Sequence, residues 1–257
     1  EVDFNRVIPF KVQLLQKAWN TFRKGSFLDM SGAFSAFQKR HAHWLNDYAL
    51  FESIKQAHEE VQWTEWPVSL RDRDAVALEA FKAEHEDHIL MVMFWQFLFD
   101  IQWNALKRYC NDRGIQIFGD LPIYVAEDSA DVWARRDLFY LDASGNPTVV
   151  AGVPPDYFSE TGQRWGNPLY RWDIMKQTGY AWWTSRMARI LELVDLVRLD
   201  HFRGFEAYWE VPSSEKTAIN GVWKKGPGAD LFVALKSNLG ALPVIAENLG
   251  VITDGVT

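Results

Sequence analysis

The sequence of 257 residues has a single cysteine, Cys110, and fewer basic than acidic residues. One cysteine excludes an internal disulfide and favours a reducing compartment, so we expect a cytoplasmic protein, or an organellar one if a transit peptide has been removed. The formal net charge of −7 argues against a nucleic-acid partner, because phosphate binding requires a basic surface.

Long apolar runs and familiar ligand-binding motifs are also missing. The closest candidate for a membrane span, residues 89–103, is too short and too aromatic, and no signal peptide is visible. The sequence contains no zinc-ligand spacing, no Walker loop and no dinucleotide fingerprint. We therefore expect no metal, no organic cofactor, no membrane and no obligate protein partner.

Aromatic residues are abundant instead, with 13 Trp and 15% aromatics in all. Most of them will lie in the core, but Trp and Tyr also stack on flat apolar faces while offering a polar group. Sugar rings have such faces. The excess therefore favours a carbohydrate ligand.

The chain changes character near Gly114. Residues 1–113 follow helical periods, and we predict a helical insertion over 1–83 followed by a catalytic region over 84–257. Two stretches of the second region, about 138–170 and 205–228, are rich in Gly, Pro and aromatics, and we predict inserted loops there. Within the first stretch we predict a hairpin turn around residues 144–147 and no regular element over residues 154–168. Asp128 is predicted to cap a short helix.

Three apolar strands of the second region each end in an acid: Asp120, Asp200 and Glu247. Helical stretches separate these strands, which predicts parallel strands with crossover helices and places the acids on one face. Arg198 and Asp200 are two residues apart and so point to the same side of a strand. Burying both charges is costly unless they pair or act in catalysis, and a purely structural ion pair is the alternative.

Two carboxylates at neighbouring strand ends can act on one glycosidic bond. In retaining enzymes they lie about 5–5.5 Å apart, one as nucleophile and the other as general acid and base. Arg198 would favour the ionised form of Asp200, while the apolar residues 244–246 would favour the protonated form of Glu247.

Four segments, in this order, resemble the 4-α-glucanotransferases, the amylomaltases or disproportionating enzymes related to α-amylase. They are GDLPIYVAEDSADVW at 119–133, PPDYFSETGQRWGNP at 154–168, RLDHFRG at 198–204 and IAENLG at 245–250. The resemblance extends from about residue 84 to the end of the sequence. It implies an α/β fold, a portion of a (β/α)8 barrel with a largely helical insertion on the N-terminal side.

The resemblance also implies an activity and a set of site residues. The activity is transfer of α-1,4-glucan segments to another glucan or to glucose, with maltooligosaccharides as substrates and no cofactor. Asp200 would be the nucleophile and Glu247 the general acid/base, and Asp120 and Arg198 would contact the sugar at the cleaved bond. The residues beside the acceptor side would be Tyr157, Phe158, Gln163 and Trp165. Residues 221–228 would form a mobile flap.

The sequence departs from the family pattern at one point. Family members carry a third essential acid in a His-Asp motif on a later strand, and no such pair follows Glu247. Three strands also cannot close a barrel of eight. We therefore expect an internal portion of an amylomaltase. A retaining α-glucan hydrolase and a catalytically incomplete glucan-binding fragment are the alternatives.

Overall fold

The computed structural model describes residues 2–25 and 28–247, without the side chains of residues 28 and 29. The chain forms two compact units, Glu1–Asn104 and Ala105–Thr257. The division between them falls inside one long helix. The boundary after residue 83, which separates an insertion from a catalytic region, stays a prediction.

The first unit is helical, as the sequence predicts. Its helices, one of which continues into the second unit, are α1 (Phe4–Phe22), α2 (Leu28–Ala57), α3 (Val68–Arg71), α4 (Ala75–Glu84) and α5 (Glu86–Asn111). Asp74 begins α4 by accepting a hydrogen bond from the Ala77 N–H, which satisfies one of the donors that a helix start leaves open.

Helix α5 supplies the apolar side chains at the centre of the first unit. Phe94 and Phe97 pack against buried aromatics of α1 and α2, and the Phe94 and Phe22 rings stack at 4.5 Å. One 18-residue window of α5 is long and apolar enough to cross a membrane, so the prediction that no run reaches this length is wrong. This evidence is weak, because buried core helices have the same length and composition.

The second unit contains both strands and helices. Its elements after α5 are β1 (Phe118–Leu121), α6 (Ala130–Ala134), β2 (Val149–Val153), β3 (Gln163–Pro168), α7 (Trp172–Gln177), α8 (Ala181–Leu193), β4 (Leu196–Leu199), β5 (Ala207–Pro212), β6 (Val222–Lys225), α9 (Ala229–Leu239) and β7 (Val244–Ala246). Helix α8 leads into β4, and α9 leads into β7. This is the predicted pattern of crossover helices.

Strands β1, β4 and β7 form a parallel sheet in that order. Along β4, Val197 and Leu199 are buried, while Arg198 between them is partly exposed. The period of two residues therefore directs the apolar side chains to the core and Arg198 to the open face. Parallel pairing brings the carboxyl ends of all three strands to one edge, as predicted.

The opposite edge of the parallel sheet is held by Asp195, which precedes β4. Its carboxylate accepts hydrogen bonds from the Ile117 N–H at 2.7 Å and from the Asn111 side chain at 2.8 Å. The Lys107 ammonium lies 3.6 Å from the same carboxylate and donates to the Val194 carbonyl at the end of α8. These contacts join the starts of β1 and β4.

The two stretches predicted as inserted loops contain a second sheet. Strands β3, β2, β5 and β6 pair in that order, all antiparallel. The prediction that no regular element fits residues 154–168 is therefore wrong, because β3 occupies Gln163–Pro168. The signal was hidden because these strands are short, because β2, β3 and β5 contain Gly or Pro, and because β2 pairs with β5 far away along the chain.

Two local predictions have different outcomes. The predicted turn near residues 144–147 is confirmed, since an antiparallel bridge joins Leu141 to Pro147. The predicted cap at Asp128 is wrong, because the hydroxyl of Ser129 accepts from the Val132 N–H at the start of α6. Ser and Asp are both favoured caps, so composition alone could not separate these neighbours.

Candidate active site

Arg198 links two of the predicted acids. Its guanidinium donates to both carboxylate oxygens of Asp120, at 2.7 and 3.0 Å, and to Asp200 at 2.8 Å. The register of the sheet explains this arrangement, because Asp120 lies beside Arg198 in the pairing of β1 with β4. Such charge-assisted, bidentate contacts fix the planes of the side chains as well as their separation.

The charges of this cluster are not buried, contrary to the prediction from the apolar strand. The side chains of Arg198 and Asp200 remain 36% and 42% exposed. They lie on the open face at the strand ends, where water or a substrate can reach them. The cost of charge burial is thereby reduced, and the contacts with Asp120 and Asp200 raise the pKa of Arg198 further.

Glu247 follows β7 and lies next to the same cluster. Its backbone N–H donates to the Leu199 carbonyl at 3.2 Å, and its carboxylate accepts a hydrogen bond from the backbone N–H of His201. Burial raises the pKa of Glu247, and the negative charge of Asp200 raises it further, while Arg198 lowers it. The acid therefore holds its proton to higher pH than an exposed glutamate.

The source of this shift differs in part from the predicted one. The sequence suggests an apolar wall made by residues 244–246, but the Ile245 side chain is 47% exposed. Burial is still the largest cause of the raised pKa, and the neighbouring negative charges of Asp200 and, to a smaller extent, Asp120 add to it. Two carboxyl groups that interact in this way favour one protonated and one ionised member.

His201 is the site residue that the sequence leaves without a role. It adopts the left-handed backbone region, with φ of 51°, and its ring meets Trp165 edge to face at 4.8 Å. Burial and the charge of Arg203 lower its pKa to about 4, so the ring is neutral near pH 7. Its position directly after Asp200 is the one signal that could have identified it.

The predicted acceptor-side residues fall into two groups. Trp165 contacts His201, and its indole N–H donates to Gln163 at 3.1 Å, so both side chains join the acid cluster through His201. Tyr157 and Phe158 lie on the segment between β2 and β3 and are fully exposed. The described contacts do not bring these two rings to Asp200.

The predicted flap, residues 221–228, contains β6 and pairs with β5. The N–H groups of Gly226 and Gly228 donate to the carbonyls of Glu206 and Phe205. The Arg203 guanidinium lies 4.0 Å from the Trp223 ring centre in a cation–π contact. These contacts define where the segment rests, and its mobility stays a prediction.

A metal centre is not evident in the described ranges. Among residues 2–25 and 28–247, no group of three or more His, Cys, Asp or Glu side chains could hold a metal ion. Independently of this, Asp200 and Glu247 lie at neighbouring strand ends and offer the chemistry of paired carboxyl groups.

Comparison with known proteins supplies a family. A family model described as 4-alpha-glucanotransferase matches residues 1–257. The chain is 51% identical over 255 residues to the 4-alpha-glucanotransferase of Thermus thermophilus, covering 99% of the chain and 51% of that protein. It is 49% identical over 257 residues to the 4-alpha-glucanotransferase of Synechocystis sp., again covering 99% of the chain and 51% of that protein. The chain thus spans about half the length of these curated relatives.

Solved structures agree on the fold. The amylomaltase of Streptococcus agalactiae in complex with acarbose matches with a TM-score of 0.93 at 39% identity, over 98% of this chain and 51% of that one. The Corynebacterium glutamicum amylomaltase, which is 21% identical, matches with a TM-score of 0.76. The match covers 99% of this chain and 33% of that one. The predicted fold class is confirmed: the chain is α/β, and its parallel strands with crossover helices form a portion of a (β/α)8 barrel.

Proposed function

The chain belongs to the 4-alpha-glucanotransferase family, and on that premise we propose that the protein containing it is a retaining transglycosylase. It transfers segments of α-1,4-glucans and maltooligosaccharides to the 4-hydroxyl of another glucan or of glucose. The observation that carries the proposal is that two carboxyl groups with different surroundings lie near each other at the ends of β4 and β7. Asp200 binds the Arg198 guanidinium, while burial and the charge of Asp200 favour a protonated Glu247.

We propose Asp200 as the nucleophile. Its carboxylate oxygen attacks C1 of a glucose unit, and the bond from C1 to the departing oxygen breaks as Glu247 transfers its proton to that oxygen. A covalent glucosyl ester on Asp200 results. The hydrogen bond from Arg198 supports this role by holding the carboxylate in one orientation.

Glu247 then acts in the opposite direction. As a carboxylate it removes the proton of an acceptor 4-hydroxyl, whose oxygen attacks C1 and releases Asp200. Two displacements at C1 retain the α configuration. The raised pKa of Glu247 supports both steps, because the group must give and then take a proton near neutral pH.

The remaining predicted residues are proposed to bind sugar. Arg198 and Asp120 form a preorganised pair whose outer edges are exposed to a substrate. Trp165, fixed by Gln163 and packed on His201, offers an aromatic surface beside the nucleophile. Tyr157 and Phe158 are proposed to meet the acceptor glucan, which their full exposure permits.

Product analysis of the full-length protein tests the reaction. Incubation with maltotriose should give longer maltodextrins together with glucose, while shortening without longer products would instead indicate a hydrolase. Asp200→Asn should abolish turnover and Glu247→Gln should nearly do so, with glucan binding retained in both. Wild-type rates in either variant would contradict the assigned roles.

The proposed reaction needs neither a metal nor an organic cofactor, since all proton and bond transfers are assigned to side chains. A cytoplasmic location is also proposed, because the one cysteine of the sequence fits a reducing compartment. Cell fractionation of the source organism tests this, and recovery with a sealed organelle or with membranes would contradict it.

A further inference from the structure

A cleft of about 380 Å³ opens on the antiparallel sheet of the second unit. Pro147, Val150 and Trp165 give it apolar walls. Its polar lining includes Glu127, Arg164 and Asn167. This volume is in the range of small-molecule sites, which typically combine apolar walls with a few placed polar groups.

Two polar side chains of the cleft, Arg164 and Asn167, are held in place by the surrounding backbone. One Arg164 nitrogen donates to the Ser213 carbonyl at 3.1 Å, and the Asn167 amide donates to the Val125 carbonyl at 2.9 Å. Glu127 is half-buried, and burial raises its pKa whereas Arg164 lowers it, which places the two charges within electrostatic reach. A preorganised set of this kind binds without a large ordering cost.

The chemistry of the lining selects the class of ligand. Glu127 repels anions and Arg164 repels cations, so neither a phosphate nor an amine satisfies the whole cleft. A ligand that faces both groups must donate to the carboxylate and accept from the guanidinium, as neighbouring hydroxyls do. The indole of Trp165 adds a flat apolar wall suited to the C–H face of a ring.

We propose that this cleft is a second sugar-binding subsite, which holds glucose units of an α-glucan whose other end occupies the site around Asp200. The proposal rests on the proposed function. Trp165 connects the two regions, because it lines the cleft and also packs at 4.8 Å on His201, the residue after Asp200. A glucan long enough to pass Trp165 therefore gains contacts that a short one lacks.

Steady-state kinetics of the full-length protein test the subsite. Glu127→Ala removes a charged partner of the sugar hydroxyls, and hydrogen bonds to charged groups correspond to about tenfold or more in affinity. We expect KM for maltoheptaose to rise about five- to tenfold with kcat unchanged, and KM for maltotriose to change by less than twofold. Glu127→Gln, which keeps shape and one acceptor, should lie between the wild type and Glu127→Ala.

The matched control is Glu215→Gln. Glu215 accepts a hydrogen bond from Asn220 in the turn after β5 and does not line the cleft. Its substitution should leave KM unchanged for both substrates. Thermal unfolding of each variant establishes that the fold is retained.

Two results would overturn the subsite. One is an unchanged KM for maltoheptaose in Glu127→Ala, and the other is a fall in kcat of equal size for both substrates, which indicates a structural role. Failure of the proposed function is seen separately, as a wild-type protein that makes no longer maltodextrins. In that case calorimetric titration with maltoheptaose still tests the cleft, since Glu127→Ala should weaken binding about five- to tenfold and equal affinities would reject the subsite.

Discussion

Replacing Asp195 by Ala should destabilise the second unit without altering the proposed active site. The Asp195 carboxylate joins the starts of β1 and β4 by accepting from the Ile117 N–H and the Asn111 amide. The variant removes the acceptor shared by these two donors, and it removes the negative charge beside Lys107, which still donates to the Val194 carbonyl. The acids of the site lie at the other ends of the same strands.

The size of the effect follows from these contacts. Hydrogen bonds to a charged group contribute about 1.5–3 kcal/mol each. The Asp195 side chain is 18% exposed, so solvent weakens the contribution of these hydrogen bonds. The ion pair with Lys107 at 3.6 Å adds little to the free energy of unfolding. We expect the free energy of unfolding to fall by about 2–4 kcal/mol.

The loss should also depend on pH. The hydrogen bond from Ile117, followed by those from Asn111 and Lys107, lowers the pKa of Asp195 in the folded protein. A depressed pKa stabilises the fold above the unfolded value of about 3.9, and this contribution disappears as the pH falls through the folded pKa. The difference between wild type and variant should therefore shrink as the pH is lowered below about 4.

Urea unfolding of the full-length protein, combined with hydrogen exchange over residues 115–121, measures the effect at pH 7 and at pH 3. Asp137→Ala is the control, because its pair with Arg135 is exposed and should contribute less than about 1 kcal/mol. Equal midpoints for wild type and Asp195→Ala at pH 7 would refute this reasoning, as would a loss that is the same at both pH values.

Three further changes probe the core and the site. Trp183→Ala, which empties a fully buried position, should cost about 3–5 kcal/mol in thermal or urea unfolding, and a loss below 1 kcal/mol would contradict its packing role. Gly119→Ala places a Cβ 2.8 Å from Val194 and should cost about 1–3 kcal/mol, whereas a stabilised variant would show that β1 has room there. Asp200→Asn should lower the pKa of Glu247, because the charge that raises it is removed; carbon-13 NMR titration measures this, and an unchanged or raised value would contradict the proposed coupling.

The placement of Asp120, Asp200 and Glu247 at one edge of the sheet could be predicted from the sequence because its signals are local. An apolar run that ends in an acid marks a barrel strand, and the spacing of Arg198 and Asp200 determines their common face. Parallel pairing then brings Asp120 and Glu247 to the same edge. The helices between the strands along the chain predict this parallel pairing, although Asp120 and Arg198 are 78 residues apart.

The antiparallel sheet could not be predicted in this way. Strand β2 pairs with β5, and the strands between them in the chain belong elsewhere or pair on the other side. Gly152 lies so close to the backbone of Gln163 that a side chain would not fit, which is a tertiary requirement invisible in the local pattern. The cleft lined by Glu127 and Arg164 depends on this sheet and was missed with it.

The exposure of Arg198 and Asp200 could not be predicted from the sequence either. An apolar strand suggested that Arg198 and Asp200 are buried, but only alternate residues of β4 face the core. The side chains on the other face remain open to solvent at the strand ends. The ion pair is therefore available to a substrate as well as to its partner.

Labelling the nucleophile tests whether Asp200 forms the covalent glucosyl ester. The full-length protein is incubated with a fluorinated α-glucosyl donor that forms a long-lived ester, digested with trypsin and analysed by mass spectrometry. Cleavage after Arg198 and Arg203 releases residues 199–203, in which Asp200 carries the one side-chain carboxylate. We expect a glycosyl adduct on this peptide. An adduct on the peptide of Asp120 or Glu247, or consumption of the donor without any adduct, would contradict it.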